Sequence, residues 1–372
     1  MNRHPTGIRF LLRVGRRAVA CTLLGLGAWS GAAQAGLGFT QLSATEADGP
    51  VSVYYPTLAM DAPPSPARLS LALAMGADPV RGNGRLVVIS HGSGGSPFVH
   101  GNLARALVDA GFVVAMPEHR GDNFKDLTRA GPESWVTRPR EVSRTIDAIG
   151  ADPRFAALLQ LDRVGVYGFS AGGHTALTLS GARWSAARFK QHCEAHIAED
   201  FHTCVALFLR LTGGPFDGLK KWLALGVIRN RFDDDTVHEH ADPRVAAVAA
   251  GGPHAVAFDP ASLNQPRVPL GLVTLAQDRW LVPRFHSDRV LQVCTPCERI
   301  AELPTAGHGA LLSPLPPGLS GLAAELLNDP PGFDRSVLPD VDRKIVAFFA
   351  RHLLAVPATA APPAPAASAE RF

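Results

Sequence analysis

The sequence has few charged and aromatic residues, and its surplus of positive charge is confined to one end. Charged residues make up 19% of the chain and aromatic residues 7%. Apolar residues make up 46%, which is enough to bury a sizeable core and excludes wholesale disorder. The formal net charge is +3, but residues 1–35 carry five arginines and no acid, so the rest of the chain carries −2. A weakly acidic body lacks the basic patch that nucleic-acid binding requires, which excludes that class of partner.

No apolar run in the basic leader is long enough to cross a bilayer. Residues 18–29 form a run of twelve, whereas a membrane-spanning helix needs about 20 residues. The run follows the arginines and precedes a small-residue A-x-A site at residues 33–35. This order is typical of a secretory signal peptide, so we predict a mature chain that begins at Gly36 and is secreted or periplasmic. An uncleaved anchor is the alternative.

Cysteine is scarce, and one of the five cysteines, Cys21, lies in the leader. The four that remain are Cys193, Cys204, Cys294 and Cys297, an even number that predicts disulfides in an oxidising compartment. Three pairings are possible, and we favour the local one, Cys193 with Cys204 and Cys294 with Cys297. A thioredoxin-like role for the C-x-x-C at 294–297 is the alternative, but that motif normally opens a helix after an early strand.

Strand-like and helix-like segments alternate from about residue 85 onward. The alternation predicts an α/β fold, a mostly parallel sheet with helices on both faces, and 372 residues can form it as one domain. Segments 39–45 and 51–55 are predicted to form an antiparallel pair at one edge. The predicted parallel strands are 86–90, 113–116, 164–167, 245–250, 270–275 and 299–303. The predicted helices are one that ends at Ala110 before Gly111, and 138–149, 172–179 and 341–354.

Two stretches interrupt this alternation. More than 60 residues separate Ser180 from Val245, where a connection of a few residues is usual. We therefore predict an insertion, at about 183–241, that forms a cap over the C-terminal edge of the sheet. Residues 356–372 are mainly alanine and proline, which cannot bury a core, and they predict a disordered tail.

The strongest chemical motif is G-x-S-x-G, with Gly168, Ser170 and Gly172, directly after a predicted strand and directly before a predicted helix. In this position the motif forms a tight turn that requires small residues around the serine and lifts its hydroxyl above the sheet. We predict Ser170 as a nucleophile. The alternative is a glycine-rich turn whose serine only caps a helix.

A serine nucleophile needs a base, and the base needs an acid that orients it. The chain order in this arrangement is serine, acid, histidine. Of the two histidines that follow the late strands, His308 lies in a loop after the last one, whereas His352 lies on an apolar helix and is predicted to be structural. We predict His308 as the base and Asp278, three residues after strand 270–275, as the acid. Asp259 is the rival, although its position before Pro260 is typical of a turn.

An acyl-transfer site also needs hydrogen-bond donors for the oxyanion. The loop Ser90-His91-Gly92-Ser93-Gly94-Gly95 follows the first central strand, and its glycines allow backbone N–H groups to point at a substrate oxygen. We predict the amides of Ser93 and Ala171 as the oxyanion hole. A phosphate-binding loop is the alternative, but the lysine of G-x-x-x-x-G-K is missing.

Taken together, these motifs resemble an α/β-hydrolase of the predicted dienelactone hydrolase and platelet-activating-factor acetylhydrolase-like group, and they imply a hydrolase domain over 36–355. The resemblance implies hydrolysis of small or lipid-like carboxylic esters without a cofactor. Two features depart from the group: dienelactone hydrolases use a cysteine where this chain has Ser170, and the acetylhydrolases carry their acid near the position of Asp259. The matching pieces are V-I-S-H-G-S-G-G at 88–95, R-P-R-E-V-S-R at 138–144, G-F-S-A-G-G at 168–173, L-A-Q-D at 275–278 and Gly307-His308.

Histidines in the insertion raise the question of a metal site. His192 and His196 have helical spacing, but Cys193 stands where H-E-x-x-H needs its glutamate, so we predict a solvated helix and no metal. Glu118, His119 and Arg120 follow the second central strand and are predicted at the pocket rim. The sequence thus predicts an exported serine ester hydrolase. A serine peptidase on the same fold and a binding protein that has lost activity are the alternatives.

Overall fold

A nine-stranded sheet runs through the part of the chain that the structure describes. The computed structural model describes residues 36–64, 71–206 and 208–354, so the predicted signal peptide and tail lie outside the described residues. The strands are β1 (Gly36–Leu42), β2 (Val51–Thr57), β3 (Ala74–Met75), β4 (Leu86–Ser90), β5 (Val113–Pro117), β6 (Val164–Phe169), β7 (Val245–Gly251), β8 (Leu270–Leu275) and β9 (Glu298–Leu303). Their order across the sheet is β3, β1, β2, β5, β4, β6, β7, β8, β9.

Six neighbouring strands of this order are parallel to one another, as the uninterrupted apolar runs predict: β5, β4, β6, β7, β8 and β9. In the centre, Val88 of β4 pairs with Val166 of β6. Because parallel strands end at the same edge, the loops that follow β4, β6, β8 and β9 all leave the sheet on one side. That edge collects the predicted nucleophile, base, acid and oxyanion loop.

The predicted antiparallel pair is present, with β1 against β2 over seven residue pairs from Gly36–Thr57 to Leu42–Val51. It does not form the outermost edge, because the two-residue strand β3 pairs with the far side of β1. The strand β1 also begins three residues before the predicted start.

Helices cover both faces of the sheet, in agreement with the predicted fold class. Alternate residues of one strand face opposite layers, so Val87 and Ile89 pack in one core and Val88 in the other. The core with Val88 includes α2 and α4, and the core with Val87 includes α1 and α11. The helices are α1 (Gly101–Asp109), α2 (Pro132–Ala151), α3 (Pro153–Ala156), α4 (Ala171–Leu179), α5 (Ala186–His196), α6 (Phe201–Val205), α7 (Asp217–Arg231), α8 (Pro260–Leu263), α9 (Ser287–Val293), α10 (Gly321–Leu327) and α11 (Leu338–Leu353).

The helix α2 begins six residues before its predicted start at 138. Pro132 occupies a first-turn position, where proline costs nothing because no backbone donor is needed there. Pro139 lies inside the helix, and an internal proline argues against a helix in sequence reasoning because it removes one backbone hydrogen bond. Near the start of the same helix, the buried Trp135 packs against Trp184 and Phe189.

The insertion between α4 and β7 forms the helices α5, α6 and α7. Among the described residues there are two disulfides, Cys193 with Cys204 inside the insertion and Cys294 with Cys297 between α9 and β9, which is the predicted local pairing. The second pair follows the C-terminus of α9, whereas a redox C-x-x-C opens a helix. Within the described ranges, no helix has the length and apolar character needed to cross a membrane.

Candidate active site

Ser170 occupies a strained turn between β6 and α4. Its φ is 57°, a left-handed conformation that is uncommon for residues other than glycine and typical of functional sites. The turn is tight enough that a Cβ on Gly168 would lie 1.9 Å from the carbonyl oxygen of Gly172. A Cβ on Gly172 would lie 1.9 Å from the carbonyl oxygen of Ser90. The two glycines of the motif are therefore needed for steric reasons, and the turn has the geometry of a nucleophile elbow.

His308 lies between Ser170 and Asp278. Its Nε2 is 3.0 Å from Ser170 Oγ, and its Nδ1 is 2.7 Å from Asp278 Oδ2. The other oxygen of Asp278 accepts hydrogen bonds from the backbone N–H groups of Trp280 (2.8 Å) and Leu281 (2.9 Å). Both His308 and Asp278 are buried. The loop after β8 thus holds the carboxylate rigidly against the imidazole.

Asp259, the rival acid, lies elsewhere. It is the N-cap of α8, where its Oδ1 accepts a hydrogen bond from the backbone N–H of Ala261. Its carboxylate also forms ion pairs of 3.3 Å with each of two partly exposed arginines, Arg183 and Arg188. The structure gives Asp259 a capping role and brings Asp278 to the histidine.

The predicted oxyanion loop packs directly against the elbow. A Cβ on Gly92 would lie 3.3 Å from Ser170 Cβ, so the loop passes beside the serine. Ala171 is the first residue of α4, where backbone N–H groups have no partner in the helix itself. Asp122 supports the loop, since its Oδ1 accepts from Ser93 Oγ (2.6 Å) and from the Gly94 N–H (3.0 Å).

A buried ion pair between Arg138 and Asp122 supports this loop from below. Arg138 donates to the carbonyl oxygens of His91 (2.6 Å), Gly92 (3.3 Å) and Asp122 (3.0 Å), and it lies 2.8 Å from Asp122 Oδ2. Both side chains are almost fully buried. Burial alone would raise the pKa of Asp122, but Arg138 and the hydrogen bonds from Ser93 and Gly94 outweigh it and hold that pKa at about 2.

Sequence reasoning noted the segment 138–144 without assigning Arg138 a role, and it missed Asp122. The signal in the sequence was that Arg138 lies on the same side of the helix as the apolar residues Val142 and Ile149. Such a register places the guanidinium toward the core, where a buried charge requires a partner.

His119 is buried beneath the predicted oxyanion loop, not at the pocket rim as predicted. Its Nε2 lies 2.7 Å from Ser90 Oγ, and its Nδ1 is hydrogen-bonded to Glu141. Burial lowers the pKa of His119 well below its usual value and raises the pKa of Glu141 to about 7. The three groups form a second serine–histidine–acid chain, but Ser90 is fully buried and out of reach of a substrate.

The insertion is joined to the loop that carries Asp278. Thr203 Oγ1 donates to the carbonyl oxygen of Trp280 (2.9 Å), and Asp200 lies 3.2 Å from His286 Nε2 and 2.8 Å from His192 Nε2. Hydrogen bonds from these histidines lower the pKa of Asp200 although its burial opposes this. Within the described ranges, no three His, Cys, Asp or Glu side chains are grouped in a way that could hold a metal ion.

The strand order and the elbow define an α/β-hydrolase fold. A comparison with solved structures supports this: the chain is similar to the ferulic acid esterase from Streptomyces cinnamoneus, with a TM-score of 0.55 and 18% sequence identity. The match covers 91% of this chain and 96% of the esterase chain. No family model and no curated protein matches the sequence. The dienelactone hydrolase-like group therefore remains a prediction within this fold.

Proposed function

We propose that this protein is a serine hydrolase that cleaves carboxylic esters through an acyl-enzyme. The observation that carries the proposal is the continuous chain of hydrogen-bond contacts from Ser170 through His308 to Asp278, which starts at a left-handed serine. A serine that only caps a helix has no need of a buried histidine 3.0 Å from its hydroxyl or of that backbone conformation.

The proposed reaction begins with the proton of Ser170. The carboxylate of Asp278 accepts a hydrogen bond from His308 Nδ1–H, so Nε2 carries a free lone pair toward the serine hydroxyl. His308 takes the hydroxyl proton while Ser170 Oγ attacks the ester carbonyl carbon. The amides of Ser93 and Ala171 stabilise the oxyanion of the tetrahedral intermediate. The alcohol leaves with the proton from His308, and a water activated by the same imidazole then releases the acid and frees Ser170.

Esters are the proposed substrates because of the structural comparison. One solved structure that shares this fold, the ferulic acid esterase, is an esterase by name, which favours ester over amide substrates without identifying the acyl group. The serine, histidine and aspartate complete this reaction among themselves, so the proposal includes no cofactor and no metal. The predicted leader and the two disulfides support a secreted or periplasmic location as part of the proposal.

A labelling experiment followed by a substrate series tests the proposal. We expect a fluorophosphonate probe to label the purified chain at Ser170, and the Ser170→Ala variant to remain unlabelled. We also expect turnover of p-nitrophenyl esters of rising acyl length and of a feruloyl ester. Absence of labelling in a folded chain would favour a binding protein without activity. Faster turnover of peptide amides than of esters would favour a peptidase.

A further inference from the structure

Three buried side chains form a hydrogen-bonded chain beneath the predicted oxyanion loop, and the proposed reaction does not use them. Ser90 Oγ lies 2.7 Å from His119 Nε2, and His119 Nδ1 is hydrogen-bonded to Oε2 of Glu141. The exposed fractions of the three residues are 0%, 0% and 4%. Ser90 ends β4, His119 follows β5 and Glu141 belongs to α2, so the chain joins three elements that surround the loop.

His119 also contacts the loop through its backbone. Its N–H donates to His91 Nε2 (3.2 Å), and His91 Nδ1 donates to the carbonyl oxygen of Gly92 (2.7 Å). An imidazole that accepts with one nitrogen and donates with the other is neutral, so His91 carries no charge. The rings of His91 and His119 lie 4.8 Å apart. His119 therefore touches the two residues directly before Gly92, and a change at His119 is transmitted to the loop.

The charged side chains around Glu141 come from its own helix and from two loops. Arg138 and Arg144 lie on the same helix, but each is paired with another carboxylate. Arg138 lies 2.8 Å from Asp122 in the loop after β5, and Arg144 lies 2.7 Å from Asp48 in the loop before β2. An ionised Glu141 would therefore put three carboxylates beside two guanidinium groups. A proton on Glu141 removes this imbalance, which favours the neutral acid.

Burial acts on both titrating groups of the chain. It raises the pKa of Glu141 to about 7, although Arg138 opposes it. It lowers the pKa of His119 well below its usual value, with Arg138 adding to the effect and Asp122 opposing it. His119 thus remains neutral while Glu141 changes between its two forms near neutral pH.

The two forms of Glu141 give the chain opposite hydrogen-bond directions. The backbone N–H of Arg120 donates to Oε1 of Glu141 (3.3 Å), so a proton on the acid sits on Oε2, which faces His119. Protonated Glu141 then donates to His119 Nδ1, and Nε2–H donates to Ser90 Oγ. After ionisation Nδ1–H donates to the carboxylate, and Nε2 accepts from the Ser90 hydroxyl. Loss of one proton therefore reverses both hydrogen bonds.

We propose that His119 and Glu141 are positioning residues for the oxyanion loop, and that the loop stabilises an oxyanion best while Glu141 holds its proton. An ionised Glu141 opposes the reaction in two ways. It adds an unbalanced negative charge beneath the site where the tetrahedral intermediate develops its own. It also reverses the hydrogen bond at Ser90, the first residue of the loop. This inference rests on the proposed ester hydrolysis and identifies a regulation of the same site by pH.

The pH dependence of kcat on a p-nitrophenyl ester tests the proposal. The test compares the parent with Glu141→Gln, in which the amide oxygen accepts from the Arg120 N–H and the amide NH₂ donates to His119. The variant therefore holds the chain in the arrangement of the protonated acid. The ratio of its kcat to that of the parent should be near one at about pH 6 and reach about three to ten at about pH 8.5. Taking the ratio removes the titration of His308, which both chains share.

Two further variants separate positioning from general effects on the fold. Glu133→Gln makes the same change at an exposed acid in the first turn of α2 and should follow the parent at every pH. His119→Phe keeps an aromatic ring but removes both nitrogens. It should lower kcat by about tenfold with little change in KM, because the loop is disturbed and the rest of the site is not. Melting temperatures show whether each variant is folded.

Nitrogen-15 NMR of the histidine rings gives a second measurement that needs no turnover. The His119 signal is assigned by its absence in His119→Phe. In the parent its proton should lie on Nε2 at about pH 6 and on Nδ1 at about pH 8.5, whereas in Glu141→Gln it should stay on Nε2. A kcat ratio near one at every pH would overturn the proposal, and so would an imidazolium or an unchanging tautomer at His119 in the parent.

Fluorophosphonate labelling of Ser170 distinguishes this proposal from the proposed function. A parent that is labelled but shows no tautomer change at His119 would reject the pH dependence alone. A parent that shows the tautomer change but is not labelled would reject the proposed hydrolysis, and with it the role of the chain in catalysis.

Discussion

Asp278 accepts a hydrogen bond from His308 with one carboxylate oxygen and two backbone N–H groups with the other. The residues are 30 positions apart, and they meet because β8 and β9 are neighbouring parallel strands whose C-terminal loops leave the same edge. The backbone donors restrict the carboxylate, and the carboxylate restricts the imidazole, so Nε2 is directed at Ser170 before any substrate binds. This relationship distinguishes Asp278 from every other carboxylate that follows a strand in the described chain.

The first prediction concerns the acid. We expect Asp278→Asn to lower kcat by about 10⁴ with the fold intact, because the amide favours the wrong imidazole tautomer. Asp259→Asn is the matched control and should cost less than about tenfold, since that residue caps α8. Steady-state kinetics and melting temperatures of both variants check this. The reverse order of losses at unchanged melting temperatures would assign the acid to Asp259.

The second prediction concerns cooperation between the serine and the histidine. Ser170→Ala and His308→Ala should each lose several orders of magnitude in ester turnover, and the double variant should be little worse than either. The reason is that neither group performs its step without the other. Losses that multiply in the double variant would mean that the two residues act in separate steps.

The third prediction concerns Arg138 as a positioning residue for the oxyanion loop. Arg138→Lys should lower kcat by about 10²-fold with little change in KM, because one ammonium cannot hold three carbonyl oxygens and a carboxylate in the same geometry. Arg140→Lys, at an exposed position on the same helix, is the control and should change neither constant. Comparable losses in kcat and affinity for substrate, or no loss at all, would show that the loop does not depend on Arg138.

The fourth prediction concerns pH and Asp342 of α11. Burial raises its pKa in the folded protein from 3.8 to about 7, so between these values the folded chain holds a proton that the unfolded chain has lost. Stability contributed by this group therefore falls as pH rises from about 4 to 7. Asp342→Asn should equal the parent near pH 4 and exceed it at pH 8 by on the order of 2 kcal/mol in urea unfolding.

Asp340 of the same helix supplies a control of opposite sign. Lys344 lowers the pKa of Asp340, so its ionised form favours the folded chain and that contribution is lost as pH falls through the lowered value. Asp340→Asn should therefore give no gain in stability at pH 8. A gain of similar size from both variants would indicate a general charge effect and not the burial of Asp342.

The fifth prediction concerns the cysteines and the proposed export of the chain. With both disulfides formed and the leader removed, a denatured and unreduced sample should contain no thiol that reacts with a maleimide. One reactive thiol would be Cys21 and would show that the leader is retained. Two or more would show that a disulfide is open.

Local sequence was sufficient for the fold class and for proposing part of the candidate site. Buried parallel strands are continuous apolar runs, and the tight turn at residues 168–172 requires small residues around the serine. Both patterns can therefore be recognised without knowing the rest of the chain. Chain order left two histidines after the late strands, and His308 was predicted as the base because it lies in a loop, whereas His352 lies on an apolar helix. The pairing of cysteines also followed from short spacing.

Other features were decided only by tertiary structure, because they depend on which segments become neighbours. Asp278 and Asp259 both follow buried strands, and the pairing of β8 with β9 is what brings one of them to His308. The partner of Arg138 lies 16 residues away in a loop, where no periodicity connects the two. The helix α7 has apolar residues on two sides, and its sequence cannot say which side the insertion buries. That choice is made by packing, which covers Ala224 and Ile228 and leaves Trp222 exposed.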